Sequence, residues 1–374
     1  MYSQNDLDDA VASGVLTADA ATSLRAFVEQ RQSLPLVDEE HFRLISGFND
    51  IFVSIAAAIL LFAVGWIGQS IGQAIGLFPA DMSGSGEPGP SPLAPAAIAA
   101  TAWGLALFFT GKRRMALPSI LLLLAFIGGV FAATAFSLVT AVGEQALENN
   151  QMLAGILGAG AATVAAAAAY IHWKRFHVPI TVAAGGAAVA AIAVGLLVSV
   201  IGDNANIRDI ILGFVLLLGV GMFLFAMRWD SSDPARVTRR SDVAFWLHLL
   251  AAPMIVHPVF TLLGLNDGNA TIGEGLVVVL LYVALGITAL AIDRRALLVS
   301  ALAYVLFALQ SLFRQFGAVE LNVALTALVI GSALLLLSAF WHQSRRLVVS
   351  PLPDGLRSKL PNLDRVVVTP LPAA

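Results

Sequence analysis

The chain has 374 residues, of which 58% are hydrophobic and only 12% charged, whereas soluble domains average about 45–50% apolar and about 25% charged residues. It contains no cysteine, which excludes disulfides, thiolate metal sites and cysteine nucleophiles. The net charge of −3 is uninformative as a total, because in a membrane protein the distribution of charge carries the signal. Nucleic acid is not an expected partner. This composition predicts an all-α fold, a polytopic transmembrane helical bundle whose main partner is the lipid bilayer.

Residues 1–50 form the first predicted domain, an acidic cytoplasmic helical hairpin followed by an interfacial helix. This region holds 9 Asp and Glu against 3 Lys and Arg and lacks the apolar stretch of a secretory signal peptide. Gly14 is suited to end a first short helix, and Thr17 to cap a second. A third piece opens near Asp38 and is expected to lie along the membrane surface.

Residues 51–341 form the predicted transmembrane domain. A hydrocarbon layer of about 30 Å needs about 20 apolar residues in helical form. Apolar runs bounded by charge, Gly or Pro predict ten spans, at 51–78, 94–111, 116–142, 152–171, 178–201, 207–227, 243–263, 273–292, 296–313 and 322–341.

The distribution of basic residues predicts the orientation of these spans. With ten spans, 19 of the 21 Lys and Arg residues fall in alternate segments, and the other two, Arg208 and Arg314, fall on the opposite side. Basic segments remain cytoplasmic in multi-spanning proteins. Both termini are therefore predicted to be cytoplasmic. The last predicted domain, residues 342–374, is rich in Pro and basic residues and is expected to be a disordered cytoplasmic tail.

The opening stretch LDDAVASGVLTADAATSLRAFVEQR places a short helix, a Gly-Val-Leu-Thr break and a second helix ahead of many spans. In this it resembles a family of bacterial multi-spanning membrane proteins of unknown function. The resemblance implies a bacterial inner-membrane protein and carries no site residues. Ten spans with both ends inside also look like the drug/metabolite transporter superfamily in layout.

Small residues recur along several predicted spans. In the first span, Gly68, Gly72 and Gly76 are spaced every four residues, so they share one helix face. In lipid such faces allow helix backbones to approach closely. We expect these glycines to be helix-packing contacts; the alternative is a sliding surface of a transporter.

Polar residues inside spans are costly in lipid and therefore mark candidate sites. On the predicted topology a group of them falls in the outer half of the membrane, and four of these share one face of the ninth span. Together they predict a polar cavity open to the outside, with an arginine that receives an anionic group; the alternative for that arginine is that it reaches to the outer headgroups. The candidate residues are Arg314, Gln310, Tyr304, Ser311, His257, Gln69 and Gln73.

The seventh span contains the stretch FWLHLLAAPMIVHP, with two histidines and two prolines. Nine residues of helix place His248 and His257 on opposite faces, so they cannot bind one metal ion. Pro253 and Pro258 are expected to bend the span and to leave carbonyl groups without helical donors. His248 is expected to be structural, and His257 is the better functional candidate.

No known catalytic motif occurs in the sequence, which has no H-E-x-x-H, P-loop or G-x-S-x-G. We expect a protein that is not an enzyme and has no cofactor and no metal. Two functions fit: a secondary transporter or permease for a small, anionic solute, or a non-transporting scaffold, assembly factor or sensor whose hairpin docks a cytoplasmic protein partner.

Overall fold

The computed structural model of the chain describes residues 11–24, 48–78, 89–234, 236, 238–263, 272–295, 298, 302, 306, 322–357 and 360–361, and the regular structure within these residues is helical throughout. The chain divides into two compact units, Met1–Leu44 with Asp364–Ala374, and Ile45–Leu363.

The described part of the first unit is a helical turn centred on Gly14 and Thr17. Gly14 has a φ of 73°, the left-handed conformation that glycine adopts without a steric penalty. The Thr17 hydroxyl accepts a hydrogen bond from the Ala20 amide at 3.2 Å, which is the geometry of a helix N-cap. The predicted surface helix from Asp38 lies outside the described residues.

The second unit is a series of helices. They are α1 (Phe48–Ala74), α2 (Leu93–Phe109), α3 (Ala116–Val142), α4 (Glu144–Glu148), α5 (Gln151–Phe176), α6 (Ile180–Ile201), α7 (Ile207–Ser231), α8 (Arg239–Leu262), α9 (Ile272–Ile292), α10 (Asn322–Ala339), α11 (Trp341–Val349) and α12 (Asp354–Arg357).

Six of the described helices, α1, α3, α5, α6, α7 and α8, are long and apolar enough to cross a membrane, as an integral membrane protein requires. The shorter apolar helix α2 coincides with the predicted second span, and α9 and α10 coincide with the eighth and tenth. Most of the predicted ninth span, 296–313, lies outside the described residues.

Helix α8, which carries FWLHLLAAPMIVHP, is the most buried of these six helices. Its Val243 and Leu247 pack against Ala183 of α6 and Ala226 of α7, and further along Val256 packs with Ile330 of α10. Half of the most apolar stretch of α8 is buried inside the protein. Helix α8 is therefore the centre of this unit.

The outer helices have large apolar side chains exposed on their outward faces. On α1, Phe52, Ile55, Ile59, Phe62 and Trp66 are all exposed. A contiguous apolar face of this size is typical of a surface that contacts lipid.

Two glycines bring α5 and α6 into direct backbone contact. A Cβ atom added to Gly155 would lie 2.6 Å from the Gly195 carbonyl oxygen and 2.6 Å from the Ser199 nitrogen. A Cβ added to Gly195 would lie 2.8 Å from the Ala159 nitrogen. These two helices therefore depend on small residues for their packing, as membrane helices commonly do.

The glycines of the first span have two different roles. Gly68 and Gly72 face the segment that begins α2, where added Cβ atoms would collide with Leu93 and Ser91. Gly76 was predicted to extend this packing face, and that prediction is wrong because α1 ends at Ala74. With a φ of 70°, Gly76 instead ends the helix in a Schellman motif: its amide donates to the Gln73 carbonyl and the Leu77 amide donates to the Gly72 carbonyl.

The prediction of a disordered tail from residue 342 onward is wrong for its first part. Trp341–Val349 is an amphipathic helix whose Trp341, Arg345 and Val349 are buried. The sequence of this segment lacks an apolar run because its buried face is built largely from Trp and Arg. Residues 362–374 lie outside the described residues.

We expect Gly155→Ala to lower the free energy of unfolding by about 1–3 kcal/mol, because overpacking forces backbone shifts. Gly158→Ala is a matched control on the same helix, since nothing lies within 4 Å of an added Cβ there. The melting temperature of the purified protein in detergent measures both effects. Equal melting temperatures for the two variants would show that α5 and α6 do not need this contact.

Candidate functional site

The basic turns of the second unit lie at one end of the helices. Phe176, at the end of α5, packs with Ala106 of α2 and Leu122 of α3. Trp173 and Trp229 pack around the same cluster as Val243. The turns after α2, α5 and α7 are thereby brought to one end of the bundle, together with the residues that follow α9.

A buried carboxylate joins three helices at this end. Asp230, near the end of α7, accepts two hydrogen bonds from Arg294, at 2.5 Å from Nη2 to Oδ1 and 3.2 Å from Nε to Oδ2. Oδ2 of Asp230 also lies 3.2 Å from Nε2 of His248 on α8. Arg294 Nη2 donates to the Ser241 carbonyl at 3.0 Å and to its hydroxyl at 3.1 Å. Arg294 thus joins α7 and α8 to the short segment that follows α9.

A second buried carboxylate, Asp293, joins the α7–α8 loop and helix α11 to these contacts. Asp293 Oδ2 accepts from Arg236 Nη1 at 2.9 Å, and its Oδ1 accepts from the Trp341 indole nitrogen at 2.7 Å. Arg345 Nε lies 3.8 Å from the same Oδ1, and Arg345 also donates to the Pro361 carbonyl at 2.6 Å. The segment from Trp341 to Pro361 is held against the bundle by these contacts.

The backbone at this second carboxylate is unusual. Arg236 and Asp293 have φ values of 54° and 57°, a left-handed conformation that costs non-glycine residues about 1 kcal/mol or more each. Arg236 Nη2 also donates to the carbonyls of Ile292 at 2.9 Å and Asp293 at 3.0 Å. The salt bridge and these bonds hold two strained turns together.

A third carboxylate organises the start of α8. Asp233 accepts from the Thr238 amide at 2.9 Å and from its hydroxyl at 2.7 Å, and the Thr238 hydroxyl accepts from the Arg240 amide in turn. The α7–α8 loop is thereby fixed on both sides. We call the whole set the ionic cluster, and it consists of Asp230, Asp233, Arg236, Ser241, His248, Asp293, Arg294, Trp341 and Arg345.

The ionic cluster is removed from solvent and balanced in charge. The side chains of Asp230 and His248 are 0% exposed and that of Arg294 is 4% exposed. Its three carboxylates match its three guanidinium groups when His248 is neutral. Removing one partner from such a set leaves a buried charge without compensation, which costs about 3–5 kcal/mol.

Three of the residues predicted to line an outer cavity, Gln69, Gln73 and His257, lie in the described part of the chain. The Gln69 amide donates to the Gly89 carbonyl at 3.0 Å and accepts from the Ser91 amide at 2.8 Å, so it holds the chain ahead of α2. Gln73 is half-buried and His257 is exposed on α8. The other four, Arg314, Gln310, Tyr304 and Ser311, lie outside the described residues.

Sequence reasoning missed the ionic cluster, although the sequence contains a signal for it. The basic loops around Lys112 and Lys174 contain no acidic residue, whereas the segments around Arg236 and Arg294 contain Asp directly among the arginines. His248, which the sequence assigned a structural role, is the histidine of the cluster. The opposite faces predicted for the two histidines of α8 are observed, with His248 buried and His257 exposed.

Within the described ranges, no group of three or more His, Asp or Glu side chains is placed to hold a metal ion. The described residues also include a shallow apolar depression between α5, α6 and α7, lined by Gln151, Ala154, Val198, Ile207, Arg208, Ile211 and Leu212. The depression has one charged side chain and no convergent polar groups. The ionic cluster, with its paired carboxylates, guanidinium groups and histidine, is therefore the stronger candidate for a functional site.

We expect Asp230→Asn and Arg294→Gln each to lower the free energy of unfolding by about 3–5 kcal/mol, because each leaves the other charge buried and unpaired. The double variant should be more stable than the sum of the two losses predicts, by about 0.5–3 kcal/mol of coupling. Arg239→Gln removes the same charge from an exposed position and should change stability by less than about 0.5 kcal/mol. Chemical denaturation in detergent measures all four variants, and strict additivity would mean that the two residues do not interact.

Comparison of the whole chain with protein-family models, curated proteins and solved structures finds no match.

Proposed function

We propose that the chain is a secondary transporter or permease for a small, anionic solute, with ten spans and both termini in the cytoplasm of a bacterium. It acts without a cofactor and is not an enzyme. The ionic cluster is its cytoplasmic latch, the set of contacts that holds the cytoplasmic end of the bundle closed between transport steps.

The observation that carries this proposal is the way the ionic cluster joins distant segments. Arg294 bonds to residues 64 and 53 positions away, and the Trp341 indole bonds to a residue 48 positions away. Buried ion pairs contribute little net stability, because the loss of hydration offsets their attraction. They do favour one discrete arrangement of helices over another, which is the property that alternating access needs.

The hydrogen bond between Trp341 and Asp293 supports the ten-span topology. Helix α10 has 18 residues and so extends about 27 Å, close to the thickness of the hydrocarbon layer. Because Trp341 lies beside Asp293, a membrane topology of this chain requires an even number of crossings between Arg295 and Trp341. The two spans predicted at 296–313 and 322–341 supply that number.

The class of solute follows from the sequence. Arg208 and Arg314 are the two basic residues predicted on the external side, and Arg314 is predicted to share a polar face with Tyr304 and Gln310. An arginine at the outer end of a polar stripe is suited to receive a carboxylate or phosphate group. We therefore propose an anion as the solute and Arg314 as its first contact.

The topology predicts which positions are accessible from outside the cell. The chain has no native cysteine, so a thiol reagent labels only a cysteine that has been introduced. In intact spheroplasts, an impermeant maleimide should label Ala205→Cys in the α6–α7 turn, and should label Ser232→Cys and Ser350→Cys only after permeabilisation. All three positions are exposed, so labelling of Ser232→Cys from outside would contradict the orientation.

Transport is tested with the purified chain in proteoliposomes by uptake of radiolabelled solutes, which detects electroneutral as well as electrogenic transport. From a panel of inorganic phosphate, carboxylates and amino acids, we expect uptake of one class of anion. Arg314→Gln should reduce that uptake by about tenfold or more, as expected for the loss of a charged contact worth more than about 1.4 kcal/mol. Arg208→Gln, which removes the other external arginine, should leave the uptake within about twofold of wild type. A folded, correctly oriented protein that takes up no anion would favour the non-transporting alternative.

A further inference from the structure

We propose that His248 is a proton-binding site whose occupation opens the cytoplasmic latch, which makes the proton the coupling ion of the transporter. This inference rests on the function proposed above, because a latch that a proton opens couples transport only if the protein transports. Its first observation is that His248 and Arg294 share one acceptor. Nε2 of His248 and Nε of Arg294 both lie 3.2 Å from the same atom, Oδ2 of Asp230.

The second observation is the other ring nitrogen of His248. Nε2 faces a carboxylate oxygen, so it carries the hydrogen of the neutral ring. Nδ1 is buried and has no hydrogen-bond partner among the described residues. The ring packs edge-on against Phe223 at 5.2 Å between centroids. Nδ1 is therefore a free base at a place where a new N–H group has nothing to donate to.

A proton taken up at Nδ1 converts the ring to an imidazolium with two N–H donors. The closed cluster satisfies one of them, and leaving a buried charged donor unsatisfied is strongly unfavourable. The closed arrangement and the protonated ring are therefore incompatible. Proton binding favours a different arrangement of the cluster in which Nδ1 reaches water or an acceptor.

The surrounding charges determine which contact is lost. The charged groups that face His248 are Asp230 from α7, Arg294 from the end of α9 and Arg236 from the α7–α8 loop. Helix α6, which also packs against α8, contains no ionisable residue. On α8 itself Arg239 and Arg240 are exposed, and Asp242 is exposed but close enough to interact electrostatically with Arg294. Protonation adds a third cation around one carboxylate. Both cations then compete for Oδ2 of Asp230, which weakens the hold of this carboxylate on Arg294.

Release of Arg294 has a structural consequence beyond the pair itself. Arg294 also donates to the carbonyl and hydroxyl of Ser241, so its departure separates the end of α9 from the start of α8. The adjacent residue, Asp293, carries the contacts with Trp341 and Arg236. Movement of Arg294 therefore loosens the segments that the ionic cluster joins.

The other buried histidine of the described helices provides a contrast. His172 is fully buried, its Nδ1 lies 3.2 Å from the Thr181 hydroxyl, and its neighbours are the aromatic rings of Trp103, Phe126 and Phe176. No salt bridge involves His172 within the described residues. A proton bound at His172 would therefore not compete with an ion pair, and the latch function is specific to His248.

The test measures the accessibility of a buried position beside the cluster. Ile292 is 4% exposed and precedes Asp293, so Ile292→Cys reports whether this end has opened. Its rate of labelling by an impermeant thiol reagent in nanodiscs is divided by the rate for Ser232→Cys, which is exposed, to remove the pH dependence of thiol chemistry. Between about pH 8 and about pH 4, a range that covers the titration of exposed and of buried histidines, we expect the ratio to rise by about tenfold or more. A single coupled proton changes an equilibrium by up to tenfold per unit of pH.

The same measurement in His248→Gln should show no dependence on pH, because glutamine keeps a donor for Asp230 but does not titrate. His177→Asn is the control: His177 is an exposed histidine in a left-handed turn, a conformation that asparagine tolerates, and this variant should retain the full rise. A ratio that is flat in the wild-type background, or a rise that persists in His248→Gln, would overturn the proposal.

A second measurement uses the unmutated chain and so does not require His248→Gln to fold. The NMR signals of its six histidines must include one that titrates with the midpoint of the accessibility change, and the absence of such a signal overturns the proposal. Failure of the transport function is seen separately. If the latch responds to pH through His248 but no anion drives proton flux in proteoliposomes, the proton site stands and the transporter proposal fails.

Discussion

The second unit of this protein depends on one constraint: ionised side chains that leave water must be paired completely. Asp230, Asp293 and Arg294 are buried at the end of a bundle whose helices are otherwise apolar. Each charge meets an opposite charge and at least one further hydrogen-bonding group. Since no charge in this set can move without leaving another unpaired, the segments that carry them move together or not at all.

The central helix α8 places the ionic cluster. Its N-terminal half contributes Ser241 and His248, and it packs on α6 and α7 through small and branched side chains. Pro253 and Pro258 interrupt its hydrogen bonding without ending it. At this level α7 approaches closely through Gly219, where an added Cβ would lie 2.9 Å from the Met254 carbonyl oxygen. That oxygen belongs to the carbonyl group that Pro258 leaves without a helical donor. Helix α7 thus supports both halves of α8, through Ala226 and through Gly219.

Much of the architecture was predictable because lipid restricts what a chain can form. Apolar runs of about 20 residues have one stable structure in a bilayer, and the helices begin and end within a few residues of the predicted spans up to the eighth. The tail was predicted wrongly because Trp341 and Arg345 are buried by a specific partner, Asp293, rather than by periodic apolar residues.

The ionic cluster was not predicted because its pairs join positions up to 64 residues apart. Local patterns show which charges exist, and only the packing of α7, α8 and α9 shows which of them meet. The same reasoning explains why His248 was undervalued: nothing near it in the sequence distinguishes a histidine beside a buried carboxylate from a histidine among apolar side chains. The outer residues Arg314 and Tyr304 remain predictions from sequence.

The central claim is that the ionic cluster holds the cytoplasmic end of the bundle closed. Spin labels at Ser232→Cys and Gln343→Cys, both exposed positions, report the separation of α7 from α11 by double electron–electron resonance. In nanodiscs at neutral pH we expect one narrow distance distribution with the cluster intact, and a second, longer population when Asp293→Asn removes the charge that holds Arg236, Arg345 and Trp341. Identical distributions in the two proteins would contradict the account.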